Sequence, residues 1–186
     1  MEHLVVKNPE HVNATGGRFV TPLIAALNAG HYQTAKFLRD NGAHPNVTGF
    51  MGRSPLLAAA WLGNFEMVRV LLEYNADVNA RSVLGQTPLH FAFHYSYPSR
   101  RDVGPSFPKV ARLLLDHGAD LNASNNVRYT PLHNAALYGK VEVVRVLLEH
   151  GADVGAETMA GETAFQLAHG EEGTEIKKLL SEHGAR

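Results

Sequence analysis

The sequence predicts a stacked all-α array: short helices in antiparallel pairs, unit laid on unit, with a hairpin-like loop in each. Three observations carry that expectation. A hydroxyl–proline–leucine signal recurs as Thr21-Pro22-Leu23, Ser54-Pro55-Leu56, Thr87-Pro88-Leu89 and Thr130-Pro131-Leu132. Thr163-Ala164-Phe165 fills the same slot, and the spacings are 33, 33, 43 and 33 residues. A second anchor keeps that period: Asn41-Gly42-Ala43, Tyr74-Asn75-Ala76, His117-Gly118-Ala119, His150-Gly151-Ala152 and His183-Gly184-Ala185. The extra length therefore falls inside the third unit alone. Finally, apolar residues recur at helical spacing between the anchors, as at Val143, Val144, Val146, Leu147 and Leu148.

Each element has a local reason. Thr or Ser before Pro is a good N-cap, and Pro at the first helical position loses no hydrogen bond. Small residues follow, as in Leu57-Ala58-Ala59-Ala60, and let a neighbouring helix approach closely. Gly30, Gly63 and Gly139 end the first helix, while Gly118 and Gly151 suit the left-handed residue that closes the second. Neither helix can bury its apolar face alone, so adjacent units must stack into one core. The expected organisation is a single domain over 1–186, with a partial N-terminal cap at 1–15. Units then follow at 16–48, 49–81, 82–124, 125–157 and 158–186, with an insertion at 96–108. Asn13 stands eight residues before Thr21, as Asn79 stands eight before Thr87, so Leu4–Lys7 reads as the tail of an earlier second helix. The chain then either starts with a reduced cap or was cut from a longer array. Gly170, Glu171, Glu172, Lys177, Lys178, Ser181 and Glu182 make the last unit more polar, as a terminal cap requires.

These residues carry a resemblance to the ankyrin repeat. Thr87-Pro88-Leu89-His90 with Ala92, and Leu114-Leu115-Asp116-His117-Gly118-Ala119-Asp120, sit close to the family pattern. So do Thr130-Pro131-Leu132-His133-Asn134-Ala135-Ala136 and Leu147-Leu148-Glu149-His150-Gly151-Ala152-Asp153. The resemblance implies a right-angled solenoid and a non-enzymatic binding surface. The final Ser181–Arg186 and the insertion before Val110 are similar to fungal-type ankyrin arrays, some of which are joined to NACHT-type NTPase modules. Departures are few. Arg128 stands where Gly52, Gly85 and Gly161 stand elsewhere, and is expected to alter its loop tip; Gly155 replaces the Asn of Asn46, Asn79 and Asn122. Pro9-Glu10-His11 replaces Gly-Ala-Asp.

Composition removes several function classes. Lys and Arg number 17 against 18 Asp and Glu, so the formal charge of −1 gives no general pull toward nucleic acid or anionic membrane. The longest apolar stretches resemble Pro55–Leu62, far short of the roughly 20 residues a bilayer span needs. Met1-Glu2-His3 lacks the start of a secretory signal. The absence of cysteine excludes disulfides and fits a reducing compartment, and an intracellular, cytoplasmic protein is expected. A monomer is expected as well. No Gly-x-Ser-x-Gly, thiol or phosphate-cradling loop occurs, so neither catalysis nor a cofactor is expected.

The 11 histidines need an account. The resemblance places His90 and His133 where an imidazole bonds neighbouring loop backbone. His117, His150 and His183 follow second helices, where an imidazole meets helix-end carbonyls. His31 follows the inter-helix Gly30, and His11 and His44 read as surface substitutions. His90 and His94 lie four apart and share a helix face, but no third ligand is evident and the Glu of the zinc-protease motif is missing, so no metal is expected.

Partner contacts in the family cluster on the loop tips and the exposed end of the first helix. Those slots hold Arg18, Val20 and Asn28, then Phe50, Met51, Arg53, Trp61 and Leu62. Next come Val83, Leu84, Gln86, His94 and Tyr95, then Asn126, Val127, Tyr129, Leu137 and Tyr138, and finally Met159 and Glu162. Trp, Tyr, Met and Arg dominate binding hot spots, so a protein or peptide partner is expected there. With Arg18 and Arg53 as the only cations in these slots, phosphate-backbone recognition is disfavoured. The insertion offers a second candidate contact through Tyr97, Arg100, Arg101 and Phe107; three prolines and a glycine keep it from continuing a helix. The leading expectation is a non-catalytic protein-interaction module. The alternative is an autoregulatory array folded against a signalling NTPase domain of a larger chain.

Overall fold

The computed structural model describes residues 9–14, 21–29, 31–92 and 106–185. Among them ten α-helices form pairs: α1 (Pro22–Asn28) with α2 (Tyr32–Asp40), and α3 (Pro55–Trp61) with α4 (Phe65–Glu73). Then come α5 (Pro88–Phe91) with α6 (Phe107–Asp116), α7 (Pro131–Leu137) with α8 (Val141–Glu149), and α9 (Ala164–Leu167) with α10 (Gly173–Glu182). Single 3-10 turns cover Pro9–Asn13 and Phe50–Gly52, and no strand occurs among the described residues. The odd-numbered helices stack on one another as an inner layer; α4, α6, α8 and α10 stack as an outer one.

The helices begin where the hydroxyl residues place them. Thr21 Oγ1 accepts from the Ile24 N–H at 3.2 Å, and Ser54 Oγ accepts from that of Leu57 at 3.2 Å. One apolar cluster runs from Val12 through Leu38, Leu56, Val110 and Leu147 to Leu180. Val12 is buried beside α1; Leu4–Lys7 lie outside the described residues. Two elements differ from the simple pattern. The helix α6 opens at Phe107, so the last two residues assigned to the insertion belong to its first turn, where Pro108 lacks only an N–H that would have no partner. In the last unit α9 makes a single turn, because Ala168 is extended and His169 Nδ1–H donates to the Leu167 carbonyl at 2.7 Å.

Between units, hydrogen bonds follow a fixed scheme. Asn13 Nδ2 donates to the Gly42 carbonyl at 2.9 Å while its Oδ1 accepts from the His44 N–H at 2.8 Å. Asn46 does the same with Asn75 and Asp77, and Asn79 with Gly118 and Asp120. Asn122 Oδ1 accepts from the Asp153 N–H at 3.0 Å. Asn13, Asn46 and Asn79 thus each fill a donor and an acceptor group that the neighbouring helix end cannot satisfy itself, and Asn122 fills a donor. Ser106 adds a further tie, donating its N–H to the Gly63 carbonyl at 3.2 Å.

Replacing Asn79 by alanine removes one bond of each kind at an exposed rung. The expected cost is about 1–2 kcal/mol, read by urea denaturation. A variant as stable as the parent would show that the rung is ornamental.

Candidate functional site

Four hairpins project from the unit boundaries with one backbone pattern. Gly49, Ser82, Asn125 and Thr158 each donate an N–H to the carbonyl four residues on, and each accepts from the N–H three residues on. Three of the four add their own side chain. Ser82 Oγ accepts from Leu84 and Gln86, Asn125 Oδ1 from Val127 and Tyr129, and Thr158 Oγ1 from Ala160 and Glu162. Successive tips are then joined: the Val83, Asn126 and Met159 N–H groups donate to the Met51, Leu84 and Val127 carbonyls at 3.1–3.2 Å.

The turn needs a left-handed residue before its last position. Gly52, Gly85 and Gly161 supply it, and Arg128 adopts the same conformation at φ 61°. The expected change of loop tip does not occur: Arg128 keeps its N–H bond to the Asn125 carbonyl at 2.9 Å. Glycine is required at Gly85, where a Cβ would come within 3.0 Å of the Asn126 backbone nitrogen.

Beneath the tips, two imidazoles lock hairpin to helix. His90 is fully buried; its Nδ1 accepts from the Thr87 N–H at 3.1 Å, which fixes the proton on Nε2, and that donates to the Tyr129 carbonyl at 2.9 Å. His133 repeats this with Thr130 at 3.1 Å and the Glu162 carbonyl at 3.2 Å. Both nitrogens of each ring are used within the fold. Burial pushes the His90 imidazole down to about 4, and burial lowers that of His133 as well. The helix-end slots also match: His117, His150 and His183 meet the Leu113, Val146 and Leu179 carbonyls at 2.7–2.8 Å. Among the described residues no group of three or more His, Asp or Glu is placed to hold a metal ion.

The expected contact residues divide. Met51, Leu84 and Tyr138 are exposed, as are Val83, Val127 and Met159. Arg53 is exposed and stands 5.1 Å over the Trp61 ring. Trp61 itself is half-buried against the core, and Leu62 and Leu137 are half-buried at the ends of α3 and α7. Tyr129 is half-buried too, its ring tilted against His133 at 5.7 Å, so it packs more than it protrudes. Phe107 is a correction: at 8% exposure it belongs to the core and offers no separate contact. The Phe50 side chain, Arg18, Val20, the Asn28 side chain, His94, Tyr95, Tyr97, Arg100 and Arg101 lie outside the described residues. Arg81 and Arg128, both exposed, add cations on the hairpins that the slot list did not count. Arg53, Trp61, Gln86, His90, Phe91, Asn134 and Tyr138 enclose a groove of about 260 Å³.

Comparison with known proteins agrees with this geometry. The family described as ankyrin repeats (3 copies) matches residues 1–82 and again 22–125, and that described as ankyrin repeats (many copies) matches 114–168. No curated protein matches the chain at a significant level.

Two expected outcomes follow from the left-handed arginine and the buried imidazoles. Left-handed strain at Arg128 costs about 1–2 kcal/mol, more than the roughly 0.4–1 kcal/mol by which glycine's freedom favours the unfolded chain. Arg128→Gly should therefore raise the melting temperature slightly; a lower one would mean the side chain makes a compensating contact. The folded His90 titrates near 4 and the unfolded one near 6.5. The unfolded chain thus takes up its proton first, and the stability from neutral His90, at most about 3 kcal/mol, is present above pH 6.5 and lost as pH falls toward 4. His90→Ala should be less stable than the parent by about 1–3 kcal/mol at pH 7. Denaturation across this range should show that gap narrowing in acid, and a constant gap would contradict the assignment.

Proposed function

Since the chain belongs to the ankyrin-repeat family, we propose that it is a non-catalytic module which binds a protein or peptide through its hairpin tips and inner-helix ends. Ankyrin repeats in general serve protein–protein interaction and generally lack catalysis. No helix among the described residues is long and apolar enough to cross a membrane.

One observation carries the choice of face. The large hydrophobics exposed among the described residues are Met51, Val83, Leu84, Val127, Tyr138 and Met159, and all six lie on the four hairpins or at the end of α7. None lies on the outer layer, whose polar side carries ion pairs instead: Arg69 with Glu66 and Glu73, Arg112 with Glu149, Arg145 with Glu175. Apolar surface gathered on one side of a folded chain marks where a partner removes it from water. The tip-to-tip bonds hold that surface in place before binding, which lowers the ordering cost of association.

Leu84 and Val127 are the cleanest probes, because both are at least half exposed. Peptides selected on the parent chain from a displayed random library should lose about 100-fold in affinity for Leu84→Ser with Val127→Ser, if each anchor contributes near 2 kcal/mol and the sum is not fully additive. The melting temperature should barely move, since exposed substitutions stay within about 0.5 kcal/mol. Unchanged affinity would remove this face from consideration. Trp61→Ala is a poorer probe, because Trp61 packs on the core and its loss would also destabilise the fold.

A further inference from the structure

We propose that the groove spanning units two to four receives an extended acidic protein segment, with Arg53 taking a carboxylate of the partner. This inference rests on the binding face assigned above and goes further by fixing the partner's chemistry.

Charge and hydrogen-bonding capacity point the same way. Arg53 and Gln86 bring N–H donors to the groove, and no carboxylate lines it. Two other polar side chains there are used within the fold: Asn134 Nδ2 donates to the His90 carbonyl at 3.4 Å, and His90 Nε2 donates to the Tyr129 carbonyl. Hairpin residues 48–53, 81–86 and 124–129 hold Arg53, Arg81 and Arg128 and no Asp or Glu, in a chain whose formal charge is −1. Two carboxylates stand just before these hairpins and keep their charge: Asp77 accepts from the Asn79 N–H at 2.9 Å and Asp120 from that of Asn122 at 3.1 Å, while Arg81 donates to the Ser124 carbonyl. Arg53 is the charged side chain that lines the groove itself. The hairpin of the fifth unit reverses sign with Glu157 and Glu162, so the charge of the described hairpins changes along the stack. A segment lying across it would be acidic over units two to four and apolar at the fifth, where Met159 is 69% exposed.

The neighbouring surface favours a polypeptide over a nucleic acid strand. Val83, Leu84 and Val127 flank the arginines and are exposed, and a sugar–phosphate chain would cover them with charge instead of apolar contact. Packed helices stand about 8–10 Å apart, a span that about three extended residues cross. Acidic and apolar side chains spaced about three residues apart would meet successive units.

The chain's single tryptophan, Trp61, lines the groove and reports its occupancy. The full chain is titrated with a random glutamate–tyrosine copolymer, a lysine–tyrosine copolymer and oligodeoxythymidine while Trp61 fluorescence is followed. The glutamate–tyrosine copolymer should give a saturable change, weakened roughly tenfold between about 50 and 500 mM salt. It should be weakened about tenfold again by Arg53→Gln. Arg128→Gly, expected to be at least as stable as the parent, should also weaken it, whereas Arg112→Gln on the outer layer should not. Equal binding of the lysine copolymer, no response of Trp61, or indifference to Arg53→Gln would overturn the proposal. So would oligodeoxythymidine competing as well as the acidic copolymer, which would mark a general polyanion surface. If library peptides captured through Leu84 and Val127 carry no acidic residues, this inference fails while the assigned face stands.

Discussion

The backbone bonds that pass from one hairpin to the next are what the rest of the molecule depends on. A turn of five residues can close its own ring, but it leaves the outward N–H and C=O groups of its tip without partners. Here Val83, Asn126 and Met159 give those N–H groups to the preceding tip. Below them the asparagine rungs and the two buried imidazoles do the same for helix ends and hairpin stems. Water can bond the exposed tip groups, but a polar group buried without a partner costs as much as the hydrogen bond it lacks, and the buried His90 and His133 find their acceptors on the next unit. Those units therefore need their neighbours for polar reasons as well as to cover their apolar faces.

That dependence explains the distribution of side chains. Because backbone and a few repeated polar residues hold the tips in register, the remaining tip residues are released from structural duty. Met51, Leu84, Val127 and Met159 are apolar and exposed where folding asks nothing of them. The opposite layer instead carries charged residues paired along and between helices. Such exposed pairs contribute little to stability, but they keep that side soluble and unattractive to apolar partners.

Much of this was legible from the sequence because it recurs. His90 and His133 share a slot with one set of bonding partners, and the asparagines at 13, 46, 79 and 122 share another. A fixed period converts one local motif into a tertiary prediction. What recurs only once was harder to read. Phe107 follows a run of loop residues, and proline beside it is as much at home in a helix's first turn as in a loop, so its burial in the core gave no local signal. Trp61 sits in an exposed slot by repeat position, yet its ring is wide enough to reach the core and the Arg53 guanidinium together. Arg128 broke the glycine pattern without breaking the turn, since the left-handed region is strained for a side chain but not closed to it. Arg81 escaped notice because its place on the stem matters for charge, which periodicity does not weigh.

Amide hydrogen exchange at the tips tests the central claim most directly. The Val83, Asn126 and Met159 amides belong to exposed residues at the outer edge of the molecule. If they are bonded from unit to unit, they should exchange far more slowly than the unstructured chain, and only through openings that also release amides of the adjoining inner helices. Exchange at the rate of free peptide, while the amides of Leu56 and Leu132 stay protected, would mean that the hairpins move independently and that no preformed face exists.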